Sequence, residues 1–150
     1  MSWRDAIIAV VLAAGLAFPR PADSAPAPTE DFSDAVASQL LTQVTQGFIT
    51  SNQGQVLAAF NRARMKNYPQ FQASIAALFA RYAGFRAAYR LRQSWPQGER
   101  GVVIVEFELE GAPLEEGSPS FRRRAQLRFE FERGRAGWRI VDVAPRGFFS

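Results

Sequence analysis

Three stretches decide the fold: FRAAYRLRQSW (Phe85–Trp95), VVIVEFELE (Val102–Glu110) and FRRRAQLRFEFER (Phe121–Arg133). Each alternates between apolar and polar residues. In the first, Phe85, Ala87, Tyr89, Leu91 and Trp95 share one parity, and Arg86, Ala88, Arg90 and Arg92 the other. In the second, Val103, Val105, Phe107 and Leu109 alternate with Glu106, Glu108 and Glu110. In the third, Phe121, Ala125, Leu127, Phe129 and Phe131 alternate with Arg122, Arg124, Gln126, Arg128, Glu130 and Glu132. A period of two means one face buried and one face wet, and sheets of that kind are typically antiparallel. A fourth strand, Trp138 to Ala144, ends at Pro145. Its parity is ambiguous, because Trp138, Ile140 and Asp142 share one face while Val141 and Val143 share the other.

The wet face accounts for much of the charge. Arginines of the first and third strands can sit opposite the glutamates of the second, and the run Arg122-Arg123-Arg124 reads as part of a solvated ionic ladder. Arg123 shares parity with the apolar set, so a strand end or a bulge is expected there. Pro96 to Gly101 reads as a turn-rich loop, Gly111 to Ser120 as a longer hairpin loop, and Gly134-Arg135-Ala136-Gly137 as a tight turn.

Ahead of the sheet the pattern changes to a helical period. Val36, Leu40, Leu41, Val44 and Phe48 form one stripe of a helix from Ser33 to Phe48, with Ser33 as N-cap. A short helix follows over Asn52 to Phe60, with Ser51 as its cap. A third starts near Pro69, carries Phe71, Ile75, Leu78, Phe79 and Tyr82, and stops with Gly84 at C′. The loop Arg62-Ala63-Arg64-Met65-Lys66 is the one local charge imbalance that the sheet ladder does not answer. It reads as a solvated loop, with attraction to an acidic partner or to membrane headgroups as the alternative.

The 150 residues form one domain plus export and linker segments. There is no cysteine and no histidine. That excludes disulfides, thiolate chemistry, Ser-His and Cys-His dyads, and the commonest metal ligand. No cofactor and no metal site are expected. The net charge of +4 is carried by arginine with a single lysine, a weak hint of a GC-rich bacterial genome. Residues 1–24 read as a signal peptide. Arg4 is the positive n-region and Ala6 to Phe18 an apolar run of about 13 residues, short of the ~20 that span a bilayer. Gly15-Leu16-Ala17 and Ala22-Asp23-Ser24 both offer cleavage positions. Residues 25–31 are a flexible linker and 32–150 the domain. The expectation is an exported protein, periplasmic or secreted, with no integral membrane span in the mature chain; an N-terminal membrane anchor is the alternative. Export and the self-pairing of the arginines argue against nucleic acid as a partner.

Val56-Leu57-Ala58-Ala59-Phe60-Asn61, Tyr68 to Tyr82 and, above all, Gly137-Trp138-Arg139-Ile140-Val141-Asp142-Val143 resemble the NTF2-like (SnoaL-like, cone-shaped) superfamily. The resemblance implies an α+β fold, with three N-terminal helices packed on a strongly curved four-stranded antiparallel sheet. It also implies a pocket between helices and sheet, here lined by Tyr68, Phe79, Tyr82, Tyr89, Phe107, Phe129 and Trp138. Catalytic members place Asp, His or Tyr in that pocket. Others bind ligands or dock partners outside, and many form homodimers through the sheet. If Trp138 and Ile140 face the helices, Asp142 faces the pocket as a candidate general base, and a tyrosine hydroxyl from Tyr68, Tyr82 or Tyr89 can serve a developing oxyanion. Alternatively, Asp142 pairs with an arginine or lies on the wet side. The preferred expectation is a non-catalytic domain that binds a small apolar ligand or a protein partner; the alternative is an isomerase- or dehydratase-like enzyme using Asp142 with a tyrosine. Phe148-Phe149 either seals the mouth of the cone, the preferred reading, or adds to a dimer patch.

Overall fold

The computed structural model describes residues 30–150; the expectations for the signal peptide and most of the linker fall outside them. The helices are α1 (Asp34–Ile49), α2 (Gln53–Ala58) and α3 (Tyr68–Arg81). They precede one antiparallel sheet of β1 (Tyr82–Gln97), β2 (Arg100–Pro113), β3 (Phe121–Gly134) and β4 (Gly137–Ala144), ordered β1-β2-β3-β4, and a 3₁₀ turn at Arg146–Phe149. The α+β architecture is the expected one. No helix of the described residues is long and apolar enough to cross a membrane.

Local chemistry sets the helix ends. Ser33 caps α1, its hydroxyl accepting from the Val36 amide at 3.3 Å. The cap of α2 is Asn52, not Ser51: its side chain accepts from the Gln55 amide at 3.0 Å. The whole predicted stripe of α1 is buried, as are Phe71, Ile75 and Leu78 of α3. Helices α1 and α2 meet at Gly47, where a Cβ would come within 2.6 Å of Val56 Cγ2, so only glycine permits the approach.

The strands are longer than the alternation indicates. The 96–101 loop shrinks to a turn at Gly98-Glu99, because β1 and β2 stay paired out to Gln97 and Arg100. The third helix ends earlier than expected, and Gly84 belongs to β1. Its φ of +60° lies at a register shift between Ala83 and Arg86, where the strand bulges. A second bulge leaves Arg92 unpaired. Beyond it Ser94 opposes core Val103, and Trp95 opposes Val102 on the outer face, where Trp95 is exposed. A third leaves Val141 unpaired in β4. Such bulges bend and twist their strands, which gives the sheet its curvature.

The far edge of β4 is closed by a parallel bridge. The Ile140 amide donates to the Ala59 carbonyl at 2.9 Å and the Asn61 amide to the Ile140 carbonyl at 2.8 Å. On the wet face the ladder forms in part as expected, although Arg128 pairs within its own strand and of the β1 arginines only Arg92 meets a glutamate among the described residues. Arg122 spans Glu108 and Glu110, Arg128 meets Glu130, and Arg100 reaches Glu130 and Glu132. Glu106 sits between Arg92 at 2.5 Å and Arg124 at 3.6 Å. The Arg92 hydrogen bond, aided by the nearby guanidinium charges, holds the Glu106 carboxyl below the usual carboxylate range. A folded-state value lowered in this way contributes stability above the unfolded pKa and loses it as pH falls through the folded one. The midpoint of urea unfolding should therefore decline in that acid window, and Glu106→Gln should reduce the decline.

Candidate binding site

The interior between helices and sheet is filled by aromatic rings. The 3₁₀ turn carries Phe148 and Phe149 inward, and Phe149 is fully buried. Phe149 lies parallel to Phe48 at 6.1 Å and edge-on to Phe107 at 5.8 Å and to Phe71 at 6.1 Å. Phe148 meets Phe107 edge-on at 5.6 Å. Arg123 explains how the turn stays in place. Its register with Leu109 is regular, with no bulge or strand end there. Its Nη1 donates to the carbonyls of Gly147 (3.2 Å) and Phe148 (2.6 Å), and its guanidinium lies 4.5 Å from the Phe121 ring centroid. An inward-parity arginine thus caps the turn and partly covers an aromatic ring.

Asp142 does not share a face with Trp138 and Ile140, which corrects the orientation that would aim it inward. The unpaired Val141 inserts one residue, so Asp142 opposes Glu130, whose neighbour Phe129 faces the core. An extra residue reverses side-chain direction downstream of it. Asp142 is instead half-exposed, accepting from Arg146 Nη2 at 3.0 Å. Arg146 also donates to the Lys66 carbonyl, and Arg64 pairs with Glu132 at 2.8 Å. The basic loop is thereby tied to β3 and to the 3₁₀ turn.

The tyrosines lie apart. Tyr68 is buried at the start of α3, and Tyr82 packs on Phe121 at 5.0 Å. The Tyr89 hydroxyl donates to the Ser38 carbonyl at 3.1 Å and shares a hydrogen bond with Thr42 Oγ1 at 2.9 Å. Its single proton is committed to α1. Phe79 stacks on Phe48 at 5.3 Å, and Phe107 and Phe129 are fully buried core. Thr45 is the only buried side chain outside the apolar and aromatic set among the described residues. Those residues also bring together no group of acids able to hold a metal ion.

Of the seven proposed pocket residues, Trp138 alone borders the large cleft. This opening of about 460 Å³ lies between α1 and the β3–β4 hairpin, flanked by Glu30, Gln39, Gln43, Arg133, Arg135 and Arg139. Val36 and Leu40 supply an apolar wall. Trp138 Nε1 donates to the Glu30 carbonyl at 2.6 Å, which fixes the point where the chain enters the domain. Of the hairpin arginines, the sequence marks Arg135 as a turn residue, Arg133 as the end of the third strand and Arg139 as part of the closing-strand motif. The only sequence signal for them is that Arg133, Arg135 and Arg139 all crowd around one two-residue turn.

No family model matches the sequence, and no curated protein does either. Solved structures do. A conserved protein from Planctomyces limnophilus superposes with a TM-score of 0.63 at 8% identity, over 73% of this chain and 91% of that one. An NTF2-like superfamily protein from Salmonella enterica gives 0.59 at 10%, over 71% and 84%. The hexachlorocyclohexane dehydrochlorinase LinA-type3 of Novosphingobium barchaimii gives 0.58 at 16%, over 73% and 82%. At such identities the likeness is one of fold, and together with the helix order, the curved four-stranded sheet and the closing Gly137–Ala144 strand it identifies this chain as carrying the NTF2-like fold.

Proposed function

We propose that this chain is an exported, non-catalytic NTF2-like domain that works by binding at its surface. The observation that carries the reading is the filled interior. Where a cone of this kind would hold a substrate, Phe48, Phe107, Phe148 and Phe149 pack against one another. Acid–base catalysis needs a titratable group within reach of the reacting atoms, and among the described residues the interior holds no carboxylate, lysine or arginine, Tyr68 being its one titratable side chain. The dehydrochlorinase among the structural neighbours shows what the fold can host, and a fold does not fix a chemistry. Export rests on the apolar run of residues 6–18 behind Arg4. A homodimer through the outer sheet face is the form of partner the family resemblance favours, with the exposed Trp95 as an apolar contact.

Two measurements test the reading. Native mass spectrometry of the protein expressed with its own N-terminus and recovered from the periplasm should show a chain shortened near Ala17 or Ser24, with no apolar molecule held inside. An uncleaved mass would refute cleavage in favour of the N-terminal anchor, recovery from the cytoplasm alone would refute export, and a tightly retained apolar ligand would refute the filled interior. Asp142→Asn should leave binding unchanged and lower stability by no more than ~0.5 kcal/mol, the scale of an exposed i,i+4 pair. Turnover of any substrate that this substitution abolishes would restore the enzymatic reading.

A further inference from the structure

We infer that the cleft between α1 and the β3–β4 hairpin binds a small organic anion, a molecule with a carboxylate or phosphoryl group on an apolar body. The inference rests on reading the chain as a binding domain, and it supplies the site and the chemistry. A cleft of about 460 Å³ falls within the range of small-molecule sites. Its charge is not balanced. The outward-facing β3 arginines Arg122, Arg124 and Arg128 each meet a glutamate, and Arg123 is taken up by the carbonyls of the 3₁₀ turn. Around the cleft, Arg135 has no carboxylate within ion-pair distance among the described residues. Among the same residues Arg139 donates only to the Trp138 carbonyl, at 2.7 Å. Arg133 has Glu99 alone, at 3.7 Å, and that carboxylate is 86% exposed. Glu30 borders the cleft yet makes no ion pair with any of the three.

Two of these guanidiniums are already held. Arg133 lies 5.5 Å from the centroid of the Trp138 ring, and Arg139 is tethered by its bond to the Trp138 carbonyl. Holding them in the free protein reduces the entropy lost on binding. Planar guanidinium groups match carboxylate and phosphoryl oxygens with paired N–H donors. The opposite wall sets the rest of the ligand. Gln39 supplies an amide, Gln43 the part of its amide not donating to the Gln55 carbonyl, and the edges of the buried Val36 and Leu40 form an apolar floor under a hydrocarbon body.

Benzoate and phenyl phosphate, with benzyl alcohol as the neutral counterpart, serve as probes in an NMR titration of the intact domain. Both anions should give saturable shifts at the side-chain N–H signals of Gln39, Gln43 and the three arginines, and benzyl alcohol should give none. Arg135→Ala combined with Arg139→Ala should weaken the anions on the order of tenfold, the scale of losing charge-assisted hydrogen bonds. Arg122→Ala, on the wet face of the sheet, should leave them unchanged. Added salt should weaken them too. No saturable shift, equal shifts from benzyl alcohol, or binding that survives the double substitution would overturn the site. These failures differ from those of the binding-domain reading: a silent cleft in a protein that still captures a partner refutes only the site, whereas turnover refutes only the reading.

Discussion

Phe149→Ala is expected to cost about 3–5 kcal/mol, the range for deleting a buried phenyl ring. The ring is fully buried and contacts Phe48, Phe71, Phe107 and Phe148 at once. Those neighbours come from α1, α3, β2 and the 3₁₀ turn, so collapse around the lost ring would require three separate elements to move. The space should stay largely open. An apolar void of that kind remains dry and takes up small aromatic molecules. Urea unfolding measures the stability loss. Saturable binding of benzene by the variant and not by the parent protein shows that the ring was occupying a latent cavity. A loss below about 1 kcal/mol, with no benzene binding, would mean that the 3₁₀ turn is loosely held and the interior adapts.

Gly101→Ala should be damaging although the residue has no side chain to lose. Gly101 is buried in β2 opposite Phe131, and the Phe32 ring lies where its Cβ would project. That ring also packs on Phe131 and Trp138, each at 5.4 Å. A methyl group at residue 101 therefore evicts Phe32 or displaces β2, at about 1–3 kcal/mol. A double-mutant cycle separates the two. With Phe32→Ala in place the methyl has free space, so Gly101→Ala should then cost little, and the coupling should recover most of the single-mutant loss, within the roughly 0.5–3 kcal/mol seen for residues in contact. Additive effects would show that the methyl acts on β2 itself.

The alternation was a faithful guide wherever the ladder runs without interruption. In β2 and most of β3 each apolar residue it placed inside is buried, and the arginines and glutamates it placed outside pair there. It failed at single-residue insertions. Trp95 lies beyond the unpaired Arg92 and falls on the opposite face from the one its parity gives, while past the unpaired Val141 the inward option for Asp142 fails and its alternative, an arginine partner on the wet side, is the arrangement found. Nothing in the flanking side chains marks those insertions, because Arg92 suits either reading and β4 is apolar on both parities. Gly84 illustrates the same difficulty, since a glycine after a helical stripe serves equally as a helix stop and as a bulge. The basic cleft was illegible for another reason. Its arginines belong to the hairpin and its amides to α1, and the distance between them in sequence hides their meeting in space.

The two borders of the sheet differ, and the difference bears on self-association. β4 is occupied on its far side by the Ala59–Asn61 segment, so no strand from another molecule can add there without first dislodging it. β1 has no strand beyond it among the described residues. It carries two bulges and the positive charges of Arg86, Arg90 and Arg92. Like charges facing one another and a broken register both oppose the in-line stacking by which exposed strands seed fibres. The irregularities that curve this sheet therefore also keep its one open border from serving as a template for polymer growth.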